Sequence, residues 1–231
     1  MTAVRLRTTA LGRTVVLDRP DRRNALTLPM WQELGALVRQ VGDGPEPLHV
    51  VGAGGYFCSG ADLGALQHAR SGPDDAETFV HAVVSALLSI HALDREVVAV
   101  VEGGAAGGGV EIMAACDRRV AVGSPSLVFP FGHHGMVLDG FTRWRLHGIV
   151  GDEQAERLVD GRHVVQADEA VRLGLLDERH ADLAAVEDAE RRRPPTAGAR
   201  PGERYLAGPA ELPEAVRRAA EPMLQAFPRH T

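Results

Sequence analysis

The sequence predicts a single α/β domain, because short apolar runs typical of buried strands alternate with longer segments whose apolar residues recur at helical spacing. A chain of 231 residues is long enough to bury one core. Apolar residues make up 45% and charged residues 24% of the chain, as is typical of a globular protein. In α/β proteins, ligands bind at strand ends and helix starts.

The first elements are predicted to be a β-hairpin, a helix and a buried strand. Residues 4–20 alternate apolar and polar side chains around "ALGR", as in a hairpin, and then enter a loop. Thr27 can cap a helix that has Pro29 in its first turn. The run 48–53 is predicted as a strand leading into a glycine-rich stretch. The apolar residues on one face of the helix are Met30, Leu34, Leu37, Val38 and Val41.

The alternation of helices and strands continues through the middle of the chain. Residues 74–93 show helical spacing, and the run 97–103 is predicted as the next strand. The segment 104–109 is predicted as a glycine-rich loop that enters a helix, after which 118–124 forms a strand. A further helix is expected to begin near Gly140.

The chain is divided into a core, a linker and a final helix. The core is predicted over residues 1–186. Residues 187–204 are rich in Arg, Pro and Gly and are interpreted as a mobile linker. A last helix within 205–231 is expected to dock on the body or on a neighbouring subunit, because its apolar residues share one face.

Composition argues against several classes of protein. A net charge of −6 and a pI near 5.9 disfavour nucleic-acid binding, which needs clustered positive charge. We expect no membrane span and no secretory signal, and hence a cytoplasmic protein. Cys58 and Cys116 suit neither a disulfide framework nor a metal site, so no metal is expected. The chain has no lysine, which excludes Schiff-base chemistry.

Two glycine-rich segments, "CSGAD" at 58–62 and "GGGVE" at 107–111, each follow a predicted strand. Such segments let backbone N–H groups face outward, so the amides of Ala61 and Gly108 would form a two-donor pocket for an oxyanion if they converge. Gly108 would also lie at a helix start, where peptide dipoles favour negative charge. Either segment alone is more often an ordinary turn.

Five blocks of sequence together resemble the crotonase family, also called the enoyl-CoA hydratase/isomerase superfamily. They cover residues 1 to about 180 in the family's order and spacing. The resemblance implies a spiral of repeated ββα units with a short helical C-terminal region. It also implies assembly into trimers or dimers of trimers, and binding of acyl-CoA thioesters, with coenzyme A part of the substrate and no permanently bound cofactor. The blocks are "LDRPDRRNALTLPM", "GGYFCSGADL", "VEGGAAGGGVEIMAACDRRVA", "GMVLDGFTRWRLHGIVG" and "LVDGRHVVQADEAVRLGLLDE".

The resemblance also implies roles for particular residues. The amides of Ala61 and Gly108 would form an oxyanion hole for the thioester carbonyl. Glu111, one helical turn beyond Gly108, matches the family's first catalytic glutamate, the alternative being a structural acid. Phe131 stands where hydratases carry their second glutamate, so the usual hydratase pair is incomplete.

Asp139 offers a replacement for the missing carboxylate. It matches the position of the working aspartate in certain enoyl-CoA isomerases and in an aromatic dehalogenase, although it could equally be the N-cap of the following helix. The nearby His133 and His134 titrate near neutrality, so either could relay protons, although most paired histidines do not.

Contacts with coenzyme A are predicted around the first loop and the first glycine-rich segment. Guanidinium groups suit phosphate recognition, although a solvated loop explains these arginines nearly as well. Asp62 matches a family aspartate usually treated as structural, and we assign it no chemistry. The residues predicted to contact coenzyme A are Arg22, Arg23, Ala25, Ala61, Asp62 and Leu63.

Three functions remain open from the sequence. The first is an enoyl-CoA hydratase/isomerase-type enzyme, in which Ala61 and Gly108 stabilise a thioester enolate and Glu111, with Asp139, moves protons. The second uses Asp139 as a nucleophile on an aromatic acyl-CoA. The third is a catalytically silent homologue that serves as a binding subunit.

Overall fold

The chain starts with a β-hairpin that forms one edge of a mixed sheet. The computed structural model describes residues 3–131, 137–194, 205–206 and 209–227. Strands β1 (Val4–Thr9) and β2 (Gly12–Leu17) pair antiparallel, with Val4 opposite Leu17. Gly12 has φ +87°, a conformation that favours glycine at the tight turn. The predicted hairpin is confirmed.

The rest of the sheet is mostly parallel and carries the buried core. Its order is β1-β2-β3-β4-β5-β6, with β7 pairing β5. The pairs β2–β3, β3–β4, β4–β5 and β5–β7 are parallel, and β5–β6 is antiparallel. These strands are β3 (Leu48–Gly52), β4 (Val97–Ala106), β5 (Arg118–Phe129), β6 (His163–Gln166) and β7 (Glu178–His180).

The helices cover the sheet and alternate with the strands, so the predicted α/β class is confirmed. Thr27 takes the N-cap position of the first helix, although its side chain makes no capping hydrogen bond. The helices are α1 (Leu28–Val41), α2 (Leu63–Ala69), α3 (Pro73–Ala92), α4 (Gly108–Ala115), α5 (Gly140–Val150), α6 (Asp152–Val159), α7 (Ala167–Arg172), α8 (Leu183–Arg192) and α9 (Leu212–Ala226).

The central strands are longer than the sequence predicts. The glycine-rich segment 104–106 is the end of β4 and not a loop, because it pairs with residues 126–128 of β5 and Cys58 bridges Ala105 on its other side. Backbone hydrogen bonds on both sides therefore hold this segment extended, in spite of its glycine content. Helix α4 follows one residue later.

The predicted boundary at residue 187 lies inside a helix. Residues 187–192 belong to α8, which a buried ion-pair network holds against the sheet. Arg118 of β5 is bound by Glu96 at 3.1 Å, Glu178 at 2.5 Å and Glu190 at 2.7 Å, and His49 contacts Glu190 at 3.1 Å. Burial opposes ionisation of Glu190, but His49 and Arg118 outweigh it and lower the pKa of Glu190 to about 2.

The final helix docks on the body of the same chain. Helix α9 packs against α3 and α5 and buries its apolar face, which includes Val216 and Met223. This agrees with one of the two docking partners expected from the sequence. The remaining part of the predicted linker, 195–204, lies outside the described residues.

Replacing Arg118 should destabilise the protein strongly. Arg118→Met removes the 2.7 Å guanidinium contact of Glu190, whose side chain is 7% exposed. Among the described residues, Glu190 then keeps only His49 and the more distant Arg193. Breaking such a buried pair costs about 3–5 kcal/mol. We expect the free energy of unfolding, measured by urea denaturation at pH 7, to fall by about this amount. The control Arg191→Met removes an exposed pair with Asp188 and should change it by less than about 1 kcal/mol. Equal losses in the two variants would contradict the anchoring role of Arg118.

Candidate active site

A cavity of about 330 Å³ lies where the end of β4 meets the start of α4. Its lining comes from helices α1, α2, α3, α4 and α9, from the segment before α2, from the ends of β4 and β5, and from Arg162 just before β6. The wall is mostly apolar, as is usual for small-molecule sites. The cavity brings together four site residues predicted from the sequence, namely Ala61, Leu63, Gly108 and Glu111.

Two backbone segments approach each other closely at this cavity. The Cys58 amide donates to the Gly104 carbonyl at 3.3 Å, and the Ala106 amide donates to the Cys58 carbonyl at 2.9 Å. At Gly60 the backbone has φ +94°, and a Cβ there would lie 2.6 Å from the Ala106 oxygen and 3.0 Å from the Gly108 nitrogen. Only glycine permits this conformation and this approach.

The backbone hydrogen bonds between Leu26 and the residues on either side of Ala61 do not involve the Ala61 amide. Leu26 donates to the Gly60 carbonyl and accepts from the Asp62 amide, both at 2.8 Å. In an extended segment, successive N–H groups point to opposite sides. The Ala61 N–H therefore points away from Leu26, and Ala61 lines the cavity.

Gly108 contributes the second amide. It is the first residue of α4, so its N–H has no acceptor within the helix. The aligned peptide dipoles of the helix make its N-terminus favourable for negative charge. Because Gly108 lines the same cavity as Ala61, this part of the wall suits an anionic oxygen.

Glu111 lies in the first turn of α4 and lines the cavity, although it is only 4% exposed. Burial, with a contribution from the nearby charge of Asp139, raises the pKa of Glu111 well above its usual value. A raised pKa brings the ionisation of this carboxyl group closer to neutral pH, where the group can both give and take a proton.

Asp139 takes the capping position that the sequence left open as an alternative. Its Oδ1 accepts hydrogen bonds from the amides of Phe141 and Thr142, both at 3.0 Å, at the start of α5. Burial raises the pKa of Asp139 to about 6, against the lowering effect of these hydrogen bonds. Its Oδ2 is buried without a hydrogen-bond partner among the described residues. Asp139 does not line the cavity and acts on Glu111 through its charge.

Phe131 is buried where hydratases of the family were expected to carry a second glutamate. It lines the 330 Å³ cavity and also a neighbouring cavity of about 370 Å³. Among the described residues, Glu111 is therefore the one carboxylic acid on the wall of the first cavity. His133 and His134 lie outside the described residues.

The residues predicted to contact coenzyme A have mixed environments. Arg22 is exposed, and the guanidinium of Arg23 lies 5.5 Å from the centre of the Tyr56 ring. Leu63 is 77% exposed at the start of α2. The carboxylate of Asp62 caps α2 and forms a 2.8 Å ion pair with Arg19, which agrees with a structural role.

Ala25 lies beside the same ion pair. Its carbonyl accepts a hydrogen bond from Arg19 at 3.1 Å. The loop at 19–25 is therefore tied to the start of α2. This places it next to Ala61, which is expected to contact the thioester, and Leu63, which is expected to contact coenzyme A. Whether these groups touch coenzyme A stays a prediction.

Three residues that shape the site were not predicted from the sequence. Asn24 is buried with φ 56°, and its side-chain amide donates to the carbonyls of Ala53 and Tyr56, which fixes the loop after β3. Trp31 packs against Gly108, where an added Cβ would lie 2.8 Å from the indole ring. Arg162 lines the cavity. Only Asn24 had a signal in the sequence, because asparagine is favoured at positive φ.

Comparison with known proteins identifies the family. A model of the enoyl-CoA hydratase/isomerase family matches residues 13–196. A Mycobacterium tuberculosis protein named "Probable enoyl-CoA hydratase echA6" is 31% identical over 163 residues, which are 70% of this chain and 64% of that protein. An ethylmalonyl-CoA decarboxylase from Danio rerio is 34% identical over 176 residues, which are 75% of this chain and 58% of that protein. This chain thus spans about three fifths of the length of these relatives.

Solved structures agree with this assignment. An enoyl-CoA hydratase/isomerase family protein from Hyphomonas neptunium is 30% identical with a TM-score of 0.75, covering 82% of this chain and 73% of that chain. An enoyl-CoA hydratase/isomerase from Mycobacterium paratuberculosis shares the fold with a TM-score of 0.82 at 23% identity, covering 98% and 94%. The chain belongs to the enoyl-CoA hydratase/isomerase family, and the predicted crotonase fold is confirmed.

Two features of other classes of protein are absent from the described residues. No helix in this part of the chain has the length and apolar character needed to cross a membrane. No group of three or more His, Cys, Asp or Glu side chains in the same part is arranged to hold a metal ion.

The pH dependence of stability should reveal the buried charge of Asp139. In the unfolded chain this carboxyl ionises near pH 4, whereas in the folded protein it keeps its proton up to about pH 6. Ionisation therefore destabilises the fold as pH rises from about 4 past 6. Asp139→Asn keeps a capping side chain without the charge. The free energy of unfolding of the variant minus that of the wild type should therefore be about 2–3 kcal/mol larger at pH 8 than at pH 4. Urea denaturation at both values measures this.

The exposed Asp182, which caps α8, provides a matched control. Asp182→Asn should show no such change between pH 4 and pH 8. A constant difference between Asp139→Asn and wild type would contradict the raised pKa of Asp139.

Proposed function

We propose that the protein binds an acyl-CoA thioester in the 330 Å³ cavity and stabilises its enolate with the amides of Ala61 and Gly108. The observation that carries this proposal is the meeting of these two residues and Glu111 on one cavity wall. Membership of the enoyl-CoA hydratase/isomerase family supports the substrate class.

The two amides would act on the charge that develops on the thioester oxygen. Amides fixed by the fold need no rearrangement when the enolate forms, and each such donor is worth about 2.7–4 kcal/mol in the transition state. The N-terminus of α4 adds a favourable dipole. Both effects strengthen beside an apolar wall, because its low dielectric constant screens charge less than bulk water does.

Glu111 would move the proton. Its carboxyl lines the cavity one helical turn from Gly108, and its pKa is raised by burial and by Asp139. In this scheme Asp139 is a positioning residue, since it caps α5 and holds Glu111 protonated to higher pH without reaching the cavity.

A single carboxyl group on the wall favours double-bond isomerisation over hydration. An isomerase needs one group that takes a proton from the α carbon and returns it to the γ carbon, whereas hydration uses two carboxylates to position and activate water. Phe131 occupies the second place with an apolar ring that excludes water. The names of the hydratase and decarboxylase relatives fit a common thioester enolate, because loss of CO₂ from a malonyl thioester also leaves one.

Replacing Glu111 tests the proposed chemistry. Glu111→Gln keeps the shape of the side chain but can neither give nor take the proton, so kcat should fall by roughly 100-fold or more. The assay follows conversion of a 3-enoyl-CoA to the 2-enoyl-CoA, with crotonyl-CoA hydration measured in parallel. The exposed Glu153→Gln serves as the control and should keep the wild-type rate.

The results separate the three functions left open by the sequence. Equal isomerisation rates in wild type and Glu111→Gln would exclude Glu111 as the proton carrier. An acyl-enzyme trapped on Asp139 and seen by mass spectrometry would support the nucleophilic alternative. Binding of acyl-CoA without turnover would support a catalytically silent subunit. Assembly as a homotrimer or a dimer of trimers and a cytoplasmic location stay predictions.

A further inference from the structure

Arg162 places a positive charge on the wall of the cavity. It immediately precedes β6, whose first residue, His163, lies opposite Phe129 of β5. This register puts Arg162 beside Pro130, which also lines the cavity. The side chain thus approaches from the edge of the sheet that is remote from Ala61.

The order of the strands gives the position of Arg162 relative to the proposed thioester site. The segment at Cys58 bridges β4, β4 pairs with β5, and β5 pairs with β6. The cavity is therefore crossed in this order by the backbones at Ala61, Gly108, Pro130 and Arg162. Neighbouring strands lie about 4.8 Å apart, which places Arg162 roughly 10 Å from the start of α4. A thioester held at Ala61 and Gly108 with its coenzyme portion over Leu63 would direct its acyl group toward Arg162.

The charge of Arg162 is not balanced within the described part of the chain. No ion pair or side-chain hydrogen bond of Arg162 to a described residue is present. The nearby Asp160 lines the neighbouring cavity and not this one. Glu111, the one described acid on this wall, keeps its proton to raised pH because it is buried. Arg162 is itself an exposed residue, so the acyl end of the cavity carries a solvated positive charge, without a described ion-pair partner, at the edge of an otherwise apolar wall.

We propose that Arg162 binds a carboxylate carried by the acyl group, which makes dicarboxylic acyl-CoA thioesters the substrate class. This inference rests on the proposed function, since it takes the thioester to lie at Ala61 and Gly108. A guanidinium fork matches a carboxylate with two parallel hydrogen bonds, and the exposed Arg162 can make them at the open side of the cavity. A purely apolar acyl group would leave the guanidinium to water.

Calorimetric titration with two matched pairs of ligands tests the proposal. The pairs are malonyl-CoA with isovaleryl-CoA, and succinyl-CoA with 4-methylpentanoyl-CoA. Within each pair the carboxylate is replaced by an isopropyl group of the same shape, so only the charge differs. Wild-type protein should bind the carboxylate member of at least one pair roughly 5- to 10-fold more tightly, the range for a bidentate pair that stays partly in water. Arg162→Gln should abolish this preference and leave the affinity for the branched member unchanged.

Arg157→Gln is the control, because Arg157 is exposed like Arg162 but lines the neighbouring cavity. It should keep the preference for the carboxylate. Equal weakening of all four ligands in Arg162→Gln would place the guanidinium on the phosphates of coenzyme A and overturn the inference. Absence of a preference in the wild type would overturn it as well. If the wild type bound none of the four thioesters, the proposed function itself would fail.

Discussion

The close approach of two backbone segments is the constraint on which the site depends. A Cβ at Gly109 would lie 2.3 Å from the Cys58 oxygen, and one at Gly60 would lie 2.6 Å from the Ala106 oxygen. A side chain at either position would push the segments apart and separate the amides of Ala61 and Gly108. The glycines are therefore needed for the distance between two chains as much as for their own backbone angles.

The electrostatics of the site follow from burial. Asp139 lies close enough for its charge to oppose ionisation of Glu111, and both side chains are buried. Asp139 is tied to the start of α5 by its capping bonds, so this repulsion cannot relax by rotation of the side chain. The result is a Glu111 with a raised pKa facing a mostly apolar cavity that has the charge of Arg162 at its edge. Such a wall suits a substrate that brings its own negative charge.

Much of the fold and part of the site could be predicted from the sequence. The alternation of apolar runs gives the main strands and helices, and the spacing from Gly108 to Glu111 places both on one helical turn. The pairing of Arg118 with Glu190 could not be predicted, because residues 72 apart in the chain leave no local signal. The capping role of Asp139 could not be predicted either, because an aspartate just before a helix can be a cap or a catalytic acid. Arg162 carried no signal because only the sheet register brings it to the cavity.

The position of the thioester oxygen can be measured in a crystal structure of a complex with butyryl-CoA, which has no double bond to hydrate or isomerise. We expect this oxygen to lie about 2.7–3.1 Å from both the Ala61 and the Gly108 nitrogen, with the acyl chain running toward Phe131 and Arg162. A thioester oxygen beyond hydrogen-bonding distance of either nitrogen, or an acyl chain outside the cavity, would contradict this expectation.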